Sequence, residues 1–358
     1  MIPVTKPFLP PLDEYQNIVT QIWERRWLTN NGPAVLELEE RLGAYLKLPK
    51  PLFLTNGTIA IQIALKALGL KGEIITTPFS YVATTSSIVW ENCHPIFVDI
   101  DANTANIDPQ KIEAAITPQT TAILATHCFG NPCDISAIEV IAKNNNLKVV
   151  YDAAHCFGTL YKGKSVFAYG DVSTTSFHAT KLFHTIEGGA VFTNNDEIRD
   201  KMSYMRNFGH NGPEKFQGLG INGKNSEFHA AMGLVNLKYI ETILISRKEQ
   251  CKRYEILLNN LDIKFLKLQE HSQHNNAYFP ILLADEVKLK KVKKSLEENK
   301  IFPRRYFYPS LSSLSYVRKV NTPVSDSLAS RVLCLPLYHG LKVLDQNRIV
   351  DIIKRTSK

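Results

Sequence analysis

The sequence lacks the features that mark membrane, secreted and metal-binding proteins. No stretch approaches the roughly 18 to 20 uninterrupted apolar residues that span a bilayer. The first residues lack the apolar core of a signal peptide. The six cysteines are scattered, without a Cys-x-x-Cys pair or a matching histidine spacing, which indicates reduced thiols and no metal site. We therefore expect a cytoplasmic protein without a membrane partner.

The composition is that of a globular protein with an unevenly placed positive charge. The 358 residues are enough for two domains, and 44% of them are hydrophobic and 21% charged. The formal net charge is +8, and from residue 241 onward 22 Lys and Arg face 12 Asp and Glu. Such an excess can attract nucleic acid, a membrane surface or a phosphorylated small molecule.

The densest group of lysines, at residues 288–294, has apolar residues spaced between its members. This pattern predicts an amphipathic surface helix. No nucleic-acid motif accompanies the lysines, so we expect no nucleic-acid partner. A nucleic-acid-binding module in the basic C-terminal third is the alternative, and salt-dependent binding would reveal it.

Between about residues 50 and 195, short apolar runs alternate with helical patterns. Strand candidates lie at residues 51–55, 73–77, 95–99, 122–126 and 148–151. Continuous apolar strands that alternate with helices indicate an α/β fold with a parallel or mostly parallel sheet covered on both faces. Ligands of such sheets bind at the carboxyl ends of the strands.

The C-terminal part predicts a smaller α+β unit. A long helix at about residues 227–260 leads out of the first domain. Strands at 264–268 and 278–283 and helices at 285–299 and 346–354 follow it. We therefore divide the chain into a large domain, residues 1–240, with an N-terminal arm, and a small C-terminal domain, residues 241–358.

The most informative feature is the pair formed by Lys181 and Asp152. Lys181 lies near the end of an apolar run, and the pair Gly188-Gly189 follows it; Asp152 ends an apolar run about thirty residues earlier. One chemistry needs both groups: an amine forms a Schiff base with pyridoxal 5'-phosphate, and an acid keeps the ring nitrogen of that cofactor protonated. The alternatives are a lysine satisfied by a carboxylate and an aspartate that caps a helix.

Further residues fit the same cofactor. Gly57 and Thr58 lie between a predicted strand and a helix, where free N–H groups bind anions. Ser176 is a second hydroxyl for that phosphate. Tyr81 is a candidate to stack on the pyridine ring, and His155 to hydrogen bond its phenolic oxygen. Each of them alone is also compatible with an ordinary packing role.

In order and spacing these motifs resemble the sugar-nucleotide aminotransferases of the DegT/StrS family. The similar segments run almost from end to end of the chain: residues 27–33 (WLTNNGP), 56–58 (NGT), 79–84 (FSYVAT), 95–100 (PIFVDI), 152–155 (DAAH), 176–181 (SFHATK), 187–189 (EGG), 206–209 (RNFG), 222 (N) with 230–231 (AA), and 335–338 (LPLY). The resemblance implies the aspartate-aminotransferase (type I) fold, with a mostly parallel seven-stranded sheet.

The resemblance also implies roles for individual residues. Lys181 would hold the cofactor and Asp152 would pair with its ring nitrogen; these two are the catalytic candidates. The further cofactor-binding candidates are Gly57, Thr58, Tyr81, His155, Ser176 and Asn222. Asn222 would reach the phosphate of the neighbouring subunit, which implies a homodimer with shared active sites. The substrate-binding candidates are Thr29, Glu187, Lys224, Arg304, Arg305 and Tyr308.

Two segments depart from the common family pattern. Many members have Tyr-Asn-Tyr-Arg where this chain has residues 221–224 (INGK), and residues 304–309 (RRYFYP) are richer than the usual aromatic-proline signature. Both segments resemble the subgroup that aminates the 4-keto carbon of dTDP-4-keto-6-deoxyglucose. Two guanidinium groups beside tyrosines can grip a diphosphate and stack on a base or sugar, and the alternative is an exposed basic loop.

Together these observations predict a pyridoxal phosphate aminotransferase. We expect L-glutamate as amino donor, a nucleotide-linked keto-deoxysugar as acceptor, and a role in surface-glycan biosynthesis such as that of O-antigen lipopolysaccharide. A 3-keto-sugar aminotransferase stays open. A sugar dehydratase of the same fold is disfavoured because its relatives replace the lysine with histidine. A non-catalytic regulator is disfavoured because Lys181, Asp152 and Ser176 are retained together.

Overall fold

A computed structural model describes residues 1–357 of the chain. This part contains helices that alternate with strands through most of its length. The helices are α1 (Leu12–Arg25), α2 (Pro33–Leu46), α3 (Gly57–Ala67), α4 (Val82–Trp90), α5 (Ile135–Asn144), α6 (Asp196–Met205), α7 (Glu227–Lys238), α8 (Ile240–Leu258), α9 (Glu286–Glu298), α10 (Pro323–Arg331) and α11 (Val343–Ser357). Among residues 1–357, none of these helices combines the length and the apolar composition needed to cross a bilayer.

The strands form one large sheet and three small ones. They are β1 (Ile2–Pro3), β2 (Leu52–Leu54), β3 (Glu73–Thr76), β4 (His94–Phe97), β5 (Thr120–Thr126), β6 (Lys148–Asp152), β7 (Leu160–Tyr161), β8 (Lys164–Ser165), β9 (Val172–Ser176), β10 (Gly189–Phe192), β11 (Ser272–Gln273), β12 (Phe279–Leu282), β13 (Ile301–Phe302) and β14 (Val332–Leu335).

The large sheet has seven strands in the order β2-β10-β9-β6-β5-β3-β4. The strand β10 runs antiparallel to both of its neighbours, and the other pairs are parallel. The prediction of a mostly parallel seven-stranded sheet is therefore confirmed. The carboxyl ends of β2, β6 and β9 lie at one edge, and because β10 is reversed its first residue, Gly189, lies at the same edge.

Successive residues of each strand pack into two different cores, one on each face of the sheet. In β5, Ile123 and Ala125 face the core that includes α2, α5 and α7. Ala122 and Leu124 face the core that includes α3 and residues of α6. Burial on both faces explains why these strands are continuously apolar in the sequence.

A third core belongs to the C-terminal part of the chain. It joins the second half of α8 to α9, α11 and the antiparallel pair β12-β14. The strand β1 pairs with β13, and Ile2 is buried in this smaller core, so the first residues pack on the C-terminal unit. The start of α8 at Ile240 supports the proposed boundary at residue 240, which stays a prediction.

Two predicted elements differ from the structure. The helix expected at 227–260 is two helices, because the backbone leaves helical geometry at Tyr239 (φ −102°, ψ 0°), whose side chain packs on Phe8 and donates a hydrogen bond to Glu14. The strand expected at 264–268 is wrong: only Lys264 makes a strand-like bridge. Lys267 instead donates its N–H to the carbonyl of Asn103 in a loop of the large domain.

A buried ion pair fixes the first strand of the sheet to two helices. The Glu39 carboxylate of α2 accepts hydrogen bonds from the guanidinium of Arg206 and, at 2.8 Å, from the N–H of Phe53. Arg206 also donates to the carbonyl of Phe53 at 3.0 Å. Both charged side chains are almost fully buried, and Arg206 relies on Glu39 for its neutralisation, whereas Glu39 also lies 3.5 Å from the amine of Lys50.

We expect Glu39→Gln to lower the free energy of unfolding by about 3 kcal/mol or more, because it leaves the Arg206 charge buried without its partner. Urea titration followed by circular dichroism measures the loss. Glu37→Gln is the matched control: Glu37 lies in the same helix and pairs with Arg41 in solvent, and its loss should cost less than about 1 kcal/mol. Equal losses in the two variants would contradict this prediction.

Candidate active site

A cavity of about 380 Å³ lies at the sheet edge where β2, β6 and β9 end. It contains both catalytic candidates and seven of the other residues predicted from the sequence. The predicted residues that line it are Gly57, Thr58, Tyr81, Asp152, His155, Ser176, Lys181, Glu187 and Arg304. Residues separated by about 250 positions in the sequence therefore meet in one place.

Lys181 lies in the turn that follows β9, where its N–H donates to the carbonyl of His178 at 2.8 Å. Burial lowers the pKa of its amine from an ordinary 10.5 to about 8, although the nearby Asp152 carboxylate and the Tyr81 hydroxyl oppose this shift. A substantial fraction of neutral amine at physiological pH follows, and the neutral amine is the nucleophilic form. A surface lysine kept for solubility would not have this property.

Asp152 is the last residue of β6, and its carboxyl group is buried. Burial raises its pKa, while a hydrogen bond from Thr84, another from the N–H of Ala154 and the charge of Lys181 pull the pKa down. The Thr84 hydroxyl donates to Oδ2 at 2.6 Å and the Ala154 N–H to Oδ1 at 3.2 Å. No α-helix begins at Asp152 in the described chain, so it is not a helix cap.

A short chain of hydroxyl groups supports the Asp152 carboxylate. Thr84 Oγ1 lies 2.7 Å from Ser80 Oγ, which lies 3.0 Å from Thr126 Oγ1. All three residues are buried, and the chain joins the loop before α4 to the ends of β5 and β6. Thr84 was not among the predicted site residues, although it lies in the segment 79–84 that carried the resemblance.

His155 has a defined protonation state. Its Nδ1 accepts the N–H of Phe129 at 3.1 Å, so the ring proton of the neutral imidazole lies on Nε2. Burial, followed by the charge of Lys181, lowers its pKa well below the usual range, so the ring stays neutral. The ring stacks on Phe307, with centroids 5.7 Å apart and planes at 10°, and Tyr278 packs against it at 4.6 Å. His155 can therefore donate one hydrogen bond into the cavity.

The part of the cavity beside the first turn of α3 is suited to a phosphate. Helix α3 begins at Gly57, and Asn56 caps it by accepting the N–H of Ile59 at 2.9 Å. The N–H groups of the first helical turn have no partner within the helix and attract anions. A Cβ at Gly57 would lie 2.9 Å from the Cβ of Ser176, so only glycine allows β9 and α3 to approach this closely.

These groups together fit pyridoxal 5'-phosphate. A buried carboxylate, a neutralisable amine and an anion-binding helix terminus border one cavity, and Tyr81, which precedes α4, borders it as an exposed aromatic ring. The structure thus brings together every predicted cofactor residue except Asn222.

The remaining predicted residues lie outside the cavity. Asn222 and Lys224 interact with each other: Lys224 Nζ donates to Asn222 Oδ1 at 2.8 Å and lies 4.5 Å from the ring centroid of Phe208. Thr29 is exposed, and its carbonyl accepts the indole N–H of Trp27 at 2.6 Å. Their assignment to cofactor or substrate binding stays a prediction.

Arg305 and Tyr308 also lie outside the cavity, where Arg305 contacts both Tyr308 and α9. The guanidinium carbon of Arg305 lies 3.4 Å from the ring centroid of Tyr308, and its Nη2 lies 3.0 Å from Glu286 Oε1. The structure thus separates the two neighbouring arginines: Arg304 lines the cavity and Arg305 does not.

Three aromatic residues of the C-terminal part complete the cavity wall. Tyr278, Tyr306 and Phe307 line it together with Arg304. Tyr306 and Phe307 lie in the RRYFYP segment that the sequence analysis singled out. Tyr278 carries no local signal, since it lies in an ordinary apolar strand pattern and reaches the cavity only through the packing of the two units.

The comparison with family models matches residues 12–354 to the DegT/DnrJ/EryC1/StrS aminotransferase family. The chain belongs to this family. The assignment confirms the predicted fold, the aminotransferase activity and the pyridoxal phosphate cofactor. The residues that border the cavity described above fit that cofactor.

Near full-length relatives within the DegT family carry a specific name. A dTDP-4-amino-4,6-dideoxy-D-glucose transaminase of Shigella dysenteriae is 43% identical, over 98% of each chain. A transaminase of the same name from Escherichia coli is 41% identical, over 99% of this chain and 97% of the relative. Among solved structures, this chain is similar to DesI, crystallised in the presence of its TDP-sugar product. The two sequences are 29% identical, and the structures superpose with a TM-score of 0.94 over 99% of this chain and 93% of DesI.

The lowered pKa of Lys181 makes it selectively reactive in the cofactor-free DegT-type protein. We expect its labelling by an amine reagent such as trinitrobenzenesulfonate to rise with pH through about 8, because the neutral amine is the form that reacts. Peptide mass spectrometry at a series of pH values measures this. Asp152→Asn should move the midpoint lower, since the carboxylate raises that pKa; a midpoint near 10.5 would contradict the prediction.

Thr84→Val should weaken the binding of pyridoxal phosphate roughly tenfold or more, because it removes a hydrogen bond to the buried carboxylate of Asp152, the residue predicted to pair with the ring nitrogen. Spectrophotometric titration of the cofactor-free protein measures the dissociation constant. Thr85→Val is the matched control, since the neighbouring Thr85 hydroxyl is buried without a hydrogen-bond partner in the described structure. A similar effect of both variants would show that the hydroxyl of Thr84 is not the cause.

Proposed function

We propose that this enzyme moves the amino group of L-glutamate to the 4-keto carbon of a nucleotide-linked 6-deoxysugar, with dTDP-4-keto-6-deoxyglucose as the acceptor. The observation that carries the proposal is that Lys181 and Asp152 border one cavity, in a chain 43% identical over almost its full length to a transaminase of that product type. The RRYFYP segment, whose Arg304 enters the cavity, supports a diphosphate-linked substrate.

When bound, pyridoxal phosphate supplies a ring that accepts electrons and carries the amino group between the two substrates. The residues of this chain hold that ring in place. Asp152 would keep the ring nitrogen protonated, and His155 would donate the proton on Nε2 to the phenolic oxygen. The first turn of α3 and the Ser176 hydroxyl would bind the phosphate, and Tyr81 would pack on the ring.

Lys181 has two tasks in this proposal. Its amine holds the cofactor covalently between turnovers, and once released it moves a proton at the reacting carbon of each substrate. A pKa near 8 suits both tasks, because the amine can gain and lose a proton at physiological pH. Since proton direction depends on where the carbon lies relative to Nζ, much of the catalytic contribution is positioning.

The competing functions fit this site less well. A dehydratase of the same fold would have histidine at position 181, and this chain has lysine there. A regulator without catalysis would have no use for an amine whose pKa burial has lowered and a carboxylate that a chain of hydroxyls supports.

The proposed working form is a homodimer with shared active sites. Asn222 lies outside the cavity of its own chain, and exposed apolar side chains surround its segment, among them Phe208, Phe216, Leu219 and Ile221. A second copy that covers these side chains would also bring Asn222 towards the phosphate end of its partner's cavity. Large exposed apolar groups of this kind are typical of protein interfaces.

The proposed site of action is the cytoplasm, where nucleotide sugars for surface glycans are made. All six cysteines are buried as free thiols, which suits a reducing compartment. The product of the proposed reaction is an amino-deoxysugar still attached to its nucleotide, ready for transfer to a growing glycan.

Lys181→Ala should abolish transamination with L-glutamate and a panel of nucleotide keto-sugars, because it removes the amine that moves the proton. Mass spectrometry detects the amino sugar, and NMR of the product assigns the carbon that carries the nitrogen. Lys294→Ala, which alters an exposed side chain on α9, is the control and should retain full activity.

Near-normal turnover by the Lys181→Ala protein would end the proposal. Amination at carbon 3 by the unaltered enzyme would overturn the choice of acceptor and leave the aminotransferase assignment intact. A purified protein that lacks visible absorbance and does not respond to added pyridoxal phosphate would favour a regulator instead.

A further inference from the structure

The proposed reaction brings two different anions to one cavity. The amino-acid donor carries carboxylates, and the nucleotide-linked acceptor carries a diphosphate. Both substrates have to approach Lys181 in turn. An anion removed from water needs a cation or several hydrogen-bond donors, and a cation that forms paired hydrogen bonds is the stronger of the two partners.

Few cationic groups at the cavity are available for that role. Lys181 is engaged with the cofactor in the proposed function. His155 is neutral, because burial lowers its pKa well below the usual range. The Nε2 atom of His178 lies 3.5 Å from the Glu187 carboxylate, which satisfies any positive charge on that ring. Among the cavity-lining residues that the structure describes, Arg304 is the remaining cation.

The backbone of Arg304 is fixed while its guanidinium has no carboxylate partner. Its N–H donates to the carbonyl of Cys334 at 3.1 Å, and the N–H of Cys334 donates back at 2.8 Å. The guanidinium carbon lies 5.6 Å from the ring centroid of Tyr306. Within residues 1–357, no Asp or Glu lies within ion-pair distance of it. The side chain is exposed and directed to the cavity.

The guanidinium of the neighbouring Arg305, unlike that of Arg304, has a carboxylate partner. Arg305 is bound by Glu286 at 3.0 Å and donates to the carbonyls of Ala329 and Ser330, both at 3.3 Å. Those three contacts are all made by Nη2, and they join α9 to α10. Of two adjacent guanidinium groups, one is therefore committed to packing, and the other is left unpaired at the cavity.

We propose that Arg304 is a shared anion site that binds a carboxylate of the amino donor in one half of the reaction and the diphosphate of the acceptor in the other. This inference rests on the proposed function. A planar guanidinium suits both ligands, because it forms two parallel hydrogen bonds with a carboxylate and with a phosphate alike. The two substrates then exclude each other from the cavity.

The experiment measures each half of the reaction by itself in the loaded enzyme. The visible absorbance of the bound cofactor reports conversion by L-glutamate, and its recovery reports conversion by the nucleotide keto-sugar. Arg304→Gln should raise the concentration for half-maximal rate at least about tenfold for both substrates. Arg304→Lys should rescue part of this effect, since it keeps the charge and loses the paired geometry. Lys294→Gln, which removes one exposed positive charge, should change neither value.

Inorganic pyrophosphate provides a second measurement that does not depend on turnover. It should bind the loaded enzyme in a calorimetric titration, compete with L-glutamate, and lose both properties in Arg304→Gln. An Arg304→Gln protein with an unchanged response to glutamate overturns the shared site, whatever happens to the sugar nucleotide. An unaltered enzyme that L-glutamate fails to convert overturns the proposed function, and the shared site with it.

Discussion

The burial of the Asp152 carboxyl group is the constraint on which the site depends. A carboxylate removed from water is unstable unless donors surround it, and burial alone pushes the pKa of Asp152 upward. Thr84, the Ala154 N–H and the amine of Lys181 oppose that push. The same burial lowers the pKa of Lys181, so one desolvated environment makes the acid hold a proton more readily and the base release it more readily. The shared burial thus moves the pKa of Asp152 and the pKa of Lys181 towards each other.

The large sheet brings the residues of the site together from distant parts of the sequence. Parallel strands have their carboxyl ends at one edge of the sheet. The ends of β2, β6 and β9 therefore place Asn56, Asp152 and Ser176 at that edge. The strand β10 is antiparallel, so its amino end lies at the same edge. This places Glu187, which precedes β10, beside the cavity. The C-terminal residues Tyr278, Tyr306 and Phe307 close the remaining side, and Phe307 is buried in one core with Phe79 and Phe129 of the large domain.

Much of the large domain, and most of the candidate cofactor-binding residues, could be predicted from the sequence. The strands are apolar on both faces, and Lys181, Asp152 and Gly57 each depend on chemistry that few residue types provide. The less predictable parts depend on packing between distant segments. The break at Tyr239 follows from contacts with Phe8 and Glu14, over 200 residues away, and the hydroxyl support of Asp152 follows from the approach of α4 to β6. The different orientations of Arg304 and Arg305 follow from the position of α9, which no local pattern records.

The pairing of β1 with β13 has a consequence for the order in which the protein assembles. Ile2 is synthesised well before its neighbours in the smaller core, which come from residues 251–353. Domains fold as units during synthesis, with the N-terminal one first. The large domain can therefore collapse before β1 has a partner strand, and β1 pairs with β13 only after residues 301–302 have been synthesised.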